Sequence, residues 1–180
     1  MSVNIGIANR YSMALLEVAK ERDNVQELTA EVTAVKDILG QNPEFISFLS
    51  SPAVSMKTKK EAVKAAFESA DDVVSNLIYV LIDNKRAGLL LTIIDHYISS
   101  VNAYLNVGEA DVYSVVELSE AEEAKLADAF AKFTNNKQMI LRKHIDASLI
   151  GGVKVVMGSV VYDGSLRSKL NGLAHQIKMS

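Results

Sequence analysis

The chain has 180 residues, 49% hydrophobic and 23% charged, with a formal net charge of −3. That length and apolar content support one large domain or two small ones with a real core. Cysteine and tryptophan are absent and no basic run exceeds two residues (Lys59-Lys60, Lys85-Arg86, Arg142-Lys143), which excludes disulfides, thiolate sites and cysteine nucleophiles and argues against a nucleic-acid or other polyanion partner.

The N-terminal stretch has no basic segment followed by a long apolar core, and Glu17 interrupts it, so it does not read as a secretory signal. The uncharged apolar stretches 77–82 and 88–94 are too short to span a bilayer. A soluble, cytoplasmic protein is expected, one that meets a membrane only through other proteins.

The spacing predicts a first helix over about 5–22 with apolar residues at Ala8, Tyr11, Leu15 and Val18. A second follows on the regular stripe Val25, Leu28, Val32, Val35 and Leu39, with Gly40 as its end. Asn42 is the expected cap of a short third helix, Pro43 occupying the first turn where a missing N–H is harmless. Phe45, Ile46, Phe48 and Leu49 fill it before Ser51-Pro52 stops the chain. Ser55 opens a fourth helix burying Ala62, Val63, Ala66 and Phe67. Asp71-Asp72 set negative charge at the start of a fifth, and Lys85-Arg86 sit at its end, both favourable to the helix dipole. Gly88 breaks the chain, and a sixth helix spans about 89–106. Short loops between six helices imply an antiparallel bundle.

Past Gly108 the period changes. Residues 111–117 read as a strand, with Val112, Ser114 and Val116 on one side and Tyr113 and Val115 on the other. Ser119 and Glu122 have the spacing of a capping box. The helix behind it is expected to bury Leu126, Phe130 and Phe133 and to end near Asn135-Asn136. Residues 138–146 are a further strand. Val153, Val155 and Met157 then alternate with Lys154, Val156 and Gly158 as another, Gly158-Ser159 turns the chain, and 160–162 return. Asp163-Gly164-Ser165 supplies turn and N-cap chemistry ahead of a helical stripe of Leu166, Leu170, Leu173 and Ile177. The fold class is therefore mainly α: a six-helix antiparallel bundle over 1–107, then a small α/β domain over 108–180 of order β-α-β-β-β-α.

No catalytic pattern emerges. His96, His144 and His175 are far apart and lack ligand spacing, so each reads as a surface or packing residue. Gly151-Gly152 is followed by strand pattern and by no Gly-Lys-Ser/Thr, which favours a turn over a phosphate loop. Carboxylate pairs fall at helix starts, and no serine elbow is present. No catalytic residue, cofactor site or metal site is assigned. The chain carries surplus apolar surface instead. The fifth helix has two stripes, Val74, Ile78, Leu81 and Ile82, and Val73, Leu77 and Val80. The first helix has Tyr11, Ala14, Leu15 and Val18 on one side and Met13 and Leu16 on another. Either both helices are central in their own bundle, or a groove between them accepts a third amphipathic helix, small Ala14 permitting close approach.

Four motifs in order resemble one family, the delta subunit of F-type ATP synthases, called the oligomycin-sensitivity-conferring protein in mitochondria. They are the segment RYSMALLEVA; Asn42-Pro43-x-Phe45 with Phe48-Leu49 and Ser51-Pro52; Asn76-Leu77-Ile78 followed by Asn84-Lys85-Arg86; and Asp146 through Val153 with Gly158 and Asp163-Gly164-Ser165-Leu166. Ser12, Met13 and Leu166 depart slightly from its pattern. The resemblance implies a non-catalytic stator subunit joining the catalytic head to the peripheral stalk. It implies that the N-terminal helix of an alpha subunit docks on Tyr11, Ala14, Leu15, Val18, Asn76, Leu77, Val80 and Asn84, and that the C-terminal domain binds the C-terminal ends of the b subunits. Gly151, Gly152, Gly158, Asp163, Gly164, Ser165 and Arg167 are expected to hold turn geometry in that domain. Nucleic acid is not an expected partner, and the membrane is one only through the complex. A start at Met1 without an Arg/Ser-rich extension fits a bacterial protein on the cytoplasmic face of the plasma membrane. A helix-docking adaptor outside ATP synthase is the alternative.

Overall fold

Regular apolar spacing and well-placed caps produce most of the helices. In the computed structural model, which describes residues 2–68, 70–166 and 168, six α-helices precede the first strand among the described residues: α1 (Ser2–Glu21), α2 (Val25–Gln41), α3 (Pro43–Ser50), α4 (Met56–Ala66), α5 (Asp72–Asp83) and α6 (Leu90–Leu105). The chain divides into two units, Met1–Val101 and Asn102–Ser180. The first is mainly helical, and the second carries a small sheet.

In the helical unit, α2 buries Leu28, Val32, Val35 and Leu39, the stripe its spacing predicts. Ser55 accepts from Thr58 N at 3.1 Å and Asp71 from Val73 N at 2.7 Å, capping α4 and α5. The core is completed by Ile78 and Leu81 of α5 and by Ile93, Tyr97 and Val101 of α6. Tyr97 is fully buried, and its hydroxyl meets Thr29 at 3.2 Å, so its only polar atom is satisfied. Lys36–Asp95 and Lys60–Asp83, each at 2.7 Å, link α2 to α6 and α4 to α5 at the surface.

Several local expectations are corrected. Gly40 does not end α2, which runs to Gln41. Asn42 makes no side-chain cap to α3; its amide donates back to Ile38 O at 2.8 Å, closing the helix behind it. On α4, Val63 and Phe67 are buried as expected, but Ala66 is exposed and Lys59 is buried instead. Gly88 does not break the chain: it lies within a 3₁₀ turn, Ala87–Leu89, that leads straight into α6.

In the second unit the described order is β1 (Val107–Ser114), α7 (Glu120–Thr134), β2 (Gln138–Ile145), β3 (Val153–Met157) and β4 (Val160–Asp163). The sheet order is β2-β1-β3-β4, with β1 parallel to β2 and antiparallel to β3, and β3 antiparallel to β4. Pairing registers Val112 with Val155 and Val155 with Tyr162. The capping box on α7 forms in full, Glu122 accepting from Ser119 N at 3.0 Å and Ser119 from Glu122 N at 3.4 Å. The core cluster is Ala110, Val112, Ala131, Met139 and Val155.

Here β1 begins four residues earlier than expected and stops at Ser114, which leaves Val116 exposed at 69%. Gly108 explains the early start. It pairs with Met139, and a Cβ at that position would lie 2.3 Å from both the Asn136 amide and the Met139 sulfur. The strand therefore passes beneath the end of α7 where the sequence suggests a break. Phe133 is corrected as well: it is 64% exposed, not core. The stripe Leu170, Leu173 and Ile177 lies outside the described residues.

Candidate functional site

Helix α1 turns Ala8, Ser12, Leu15, Leu16 and Ala19 into the core. Ser12 is tolerated there because its hydroxyl donates to Asn9 O at 2.8 Å within the helix. That face lies beside the expected stripe, so Tyr11 and Val18 are half-buried and Ala14 is exposed. Helix α5 behaves the same way. Val74, Ile78, Leu81 and Ile82 are buried, Leu77 is half-buried, and Val80 is 45% exposed. Met13 is 45% exposed on α1, whereas Leu16 is core.

The two partly covered stripes face each other across an open groove of about 440 Å³. Tyr11, Ala14, Leu15 and Val18 line it from α1, and Asn76, Leu77 and Val80 from α5. Seven of the eight residues expected at the docking site are thus brought together. The eighth, Asn84, is not on the wall; it terminates α5, its amide donating to Val80 O at 2.7 Å. Arg22 and Val73 also line the groove. Val73 belongs to the recognised α5 stripe though not to the eight expected contacts, and Arg22, which was not expected, follows Val18 by four residues and so extends the α1 stripe by one turn.

Polar contacts fix the two ends of the groove. Arg22 reaches Asp71, the cap of α5, at 3.4 Å. Arg86, just past α5, donates to the Tyr11 hydroxyl at 3.2 Å. These contacts make α1 and α5 antiparallel, and they hold the arginines at the rims while the floor stays apolar. The stretch from residue 11 to residue 22 spans about 16 Å at helical rise, enough for an occupying helix of roughly three turns. Small Ala14 on one wall lets that helix come close.

The glycine-rich motif of the second unit is a built turn. Gly152 has φ +78, and a Cβ there would meet Gly164 O at 2.5 Å, so only glycine fits both the conformation and the space. Gly164 N donates to Val153 O and Leu166 N to Gly151 O, each at 2.9 Å. Asp163 accepts from Ser165 N at 2.9 Å, and Ser165, 1% exposed, accepts from Ser168 N at 3.2 Å. The hydrogen bond from Ser165 lowers the Asp163 pKa from its usual value. Gly158 turns the β3–β4 hairpin at φ +57. Arg167 and His175 lie outside the described residues.

Among the described residues no group of three or more His, Asp or Glu is placed to hold a metal ion. His96 is half-buried on α6. His144 lies 2.8 Å from Asp111 and stacks on Tyr113 with ring centroids 4.9 Å apart. Asp111 also accepts from Arg142 Nε at 3.0 Å, which with His144 holds its carboxyl down at about 2. This is a cross-strand ion cluster on the sheet surface, made by β1 and β2.

Fold and site together define a class: a two-part scaffold whose helical unit carries an open apolar groove between α1 and α5 and whose second unit is a turn-stabilised α/β sheet. Comparison with known proteins places it further. A family model described as "ATP synthase delta (OSCP) subunit" matches residues 7–177. The chain is 37% identical over 171 residues, 95% of each chain, to ATP synthase subunit delta of Bacillus cereus (strain G9842). It is equally similar to that of Bacillus mycoides (strain KBAB4). A chain in the cryo-EM structure of the Toxoplasma gondii mitochondrial ATP synthase hexamer shares the fold, with TM-score 0.70 and 23% identity over 94% of this chain and 96% of that one. The chain belongs to the ATP synthase delta (OSCP) subunit family, a structural, non-catalytic component of the complex.

Proposed function

We propose that this protein is the stator subunit that ties the alpha/beta catalytic head of a rotary F-type ATP synthase to its b-subunit peripheral stalk. In this reading residues 1–107 form an antiparallel six-helix bundle that docks the N-terminal helix of an alpha subunit in the α1–α5 groove. Residues 108–180 receive the C-terminal ends of the b subunits. The protein then sits at the cytoplasmic face of a bacterial plasma membrane as a peripheral part of the complex. Among the described residues no helix is long and apolar enough to cross a membrane.

The observation that carries this reading is the pairing of two half-open apolar stripes. Leu77 and Val80 on α5 face Tyr11, Ala14 and Val18 on α1 across space that no described residue fills. A helix with an apolar face removes that surface from water, while Arg22 and Arg86 at the rims remain solvated and set direction. Rotor torque loads the joint without requiring chemistry of it, so slow dissociation from a buried apolar interface suits the task.

Calorimetric titration of the full chain with a peptide of the cognate alpha-subunit N-terminus tests the reading. Saturable one-to-one binding is expected, abolished by Leu77→Asp because an unpaired carboxylate would be buried at the centre of the groove. Absence of binding by protein with intact helical circular dichroism contradicts it.

A further inference from the structure

The segment Asn84-Lys85-Arg86 follows α5, and Asn84 lies off the groove wall. What the segment builds is a helix end. Lys85 adopts φ 56, its N–H donates to Ile82 O at 3.0 Å, and the Arg86 N–H donates to Leu81 O at 2.7 Å. These two bonds, with a left-handed residue at Lys85, make a Schellman turn. The turn fixes the backbone of Arg86 and brings its side chain to the mouth of the groove, where the guanidinium donates to the Tyr11 hydroxyl at 3.2 Å. That phenol occupies a single N–H donor of the guanidinium and supplies no charge. Arg142, by contrast, meets the carboxylates of Glu109 and Asp111, and Arg22 that of Asp71. Arg86 is half-buried and makes no ion pair among the described residues.

Arg10, exposed one turn before Ala14 on α1, adds a second cation at this end. The far end of the groove is the opposite: Glu21 closes α1, and Asp71 and Asp72 open α5 beside Arg22. The groove thus has an apolar floor, a cationic end at Arg86 and an acidic end at Asp71. We propose that Arg86 takes a carboxylate from the helix that docks there. The partner is then an amphipathic helix with an acidic residue at one end of its apolar stripe, and that end lies beside Tyr11 and Arg86. Glu21, Asp71 and Asp72 repel the reversed seating, so the pair fixes the direction of the helix. The inference rests on alpha-subunit docking in this groove and adds the partner's charge pattern and polarity.

Calorimetric titration of the full chain and of Arg86→Gln with the cognate alpha-subunit N-terminal peptide tests it, alongside peptides in which each Asp or Glu is changed singly to its amide. Glutamine can still donate to the Tyr11 hydroxyl, so the charge is removed while the contact between α1 and the end of α5 is kept. Arg86→Gln is expected to bind the unaltered peptide about tenfold more weakly at low salt, with an unchanged melting temperature. One amide peptide should lose about tenfold on the parent chain and nothing further on Arg86→Gln, as a direct pair requires. Equal losses on both chains, or Arg86→Gln that binds as the parent does, overturn the proposal and leave the docking reading standing. A folded parent chain that binds no peptide defeats the docking reading itself, and this inference with it. If Arg86→Gln loses its helical circular dichroism, the parent chain decides: amide peptides that all bind as tightly as the unaltered one overturn the proposal.

Discussion

In the helical unit Leu28, Val32, Leu39, Ile78, Leu81, Ile93 and Tyr97 are each no more than 1% exposed, whereas among the described residues of the sheet unit the buried core cluster is Ala110, Val112, Ala131, Met139 and Val155. The first unit is stable because large side chains fill it. The second leans on backbone geometry: the Gly152–Gly164 crossing, the Ser119–Glu122 capping box and the ion cluster on Asp111. The helical unit should therefore be sensitive to side-chain volume in its core and tolerant at the groove. The sheet unit should be sensitive wherever a Cβ is added to a crossing.

The largest expected effect is on binding. Leu77→Asp should lower affinity for the alpha N-terminal helix more than about a hundredfold with little change in melting temperature, because Leu77 is half-buried and not core. Ile78→Asp, one residue on and 1% exposed, should instead unfold the helical unit, and equal damage from the two variants would erase the contrast between groove and core. Next in size, Gly152→Ala should destabilise the sheet unit by about 2–3 kcal/mol through positive φ and the clash with Gly164 O. Hydrogen exchange should then accelerate in β3 and β4 while α2 and α6 stay protected.

Smaller effects come from titration. Asp111 is held at about 2 in the fold against 3.8 ordinarily. Its contribution is thus complete above 3.8 and fades as pH falls through about 2. Asp111→Asn should lower the stability of the sheet unit at neutral pH, and the difference from the parent should shrink as pH falls towards 2, which flattens the acid limb. Tyr97 moves the opposite way. Burial raises its pKa above 10.0, with the Thr29 hydrogen bond opposing in part, so the neutral phenol favours the fold until pH rises through that raised value. Alkaline absorbance titration should show one of the six tyrosines ionising late, and Tyr97→Phe should remove that phase at a cost of about 1 kcal/mol.

Much of this fold is legible in the sequence where one local rule decides. The three-and-four spacing of α2, the capping box of α7 and the Gly158 hairpin need no tertiary information. Groove membership is legible for Tyr11, Ala14, Leu15, Val18, Asn76, Leu77 and Val80, because two stripes on one helix cannot both be core on the outside of a bundle. What fails is whatever depends on the neighbour. Phe133 has the spacing of a core residue, yet it stands exposed at the outside of an aromatic cluster with half-buried Phe130 and Tyr162, its ring centroid 5.2 Å from that of Tyr162. Asn42 could serve the helix before it or the one after it, and only backbone geometry chooses. Burial of Lys59 has no signature at all, since a lysine on a basic helix face reads as solvated.

Groove occupancy in the assembled complex tests the central claim most directly. A photoreactive amino acid replacing Val80, which is 45% exposed on the groove wall, should cross-link to the N-terminal segment of an alpha subunit when the complex is irradiated. The same probe replacing Ile38, on α2 and away from the groove, should not. A Val80 probe that captures a different subunit, or an alpha cross-link obtained from Ile38 and not from Val80, contradicts the account.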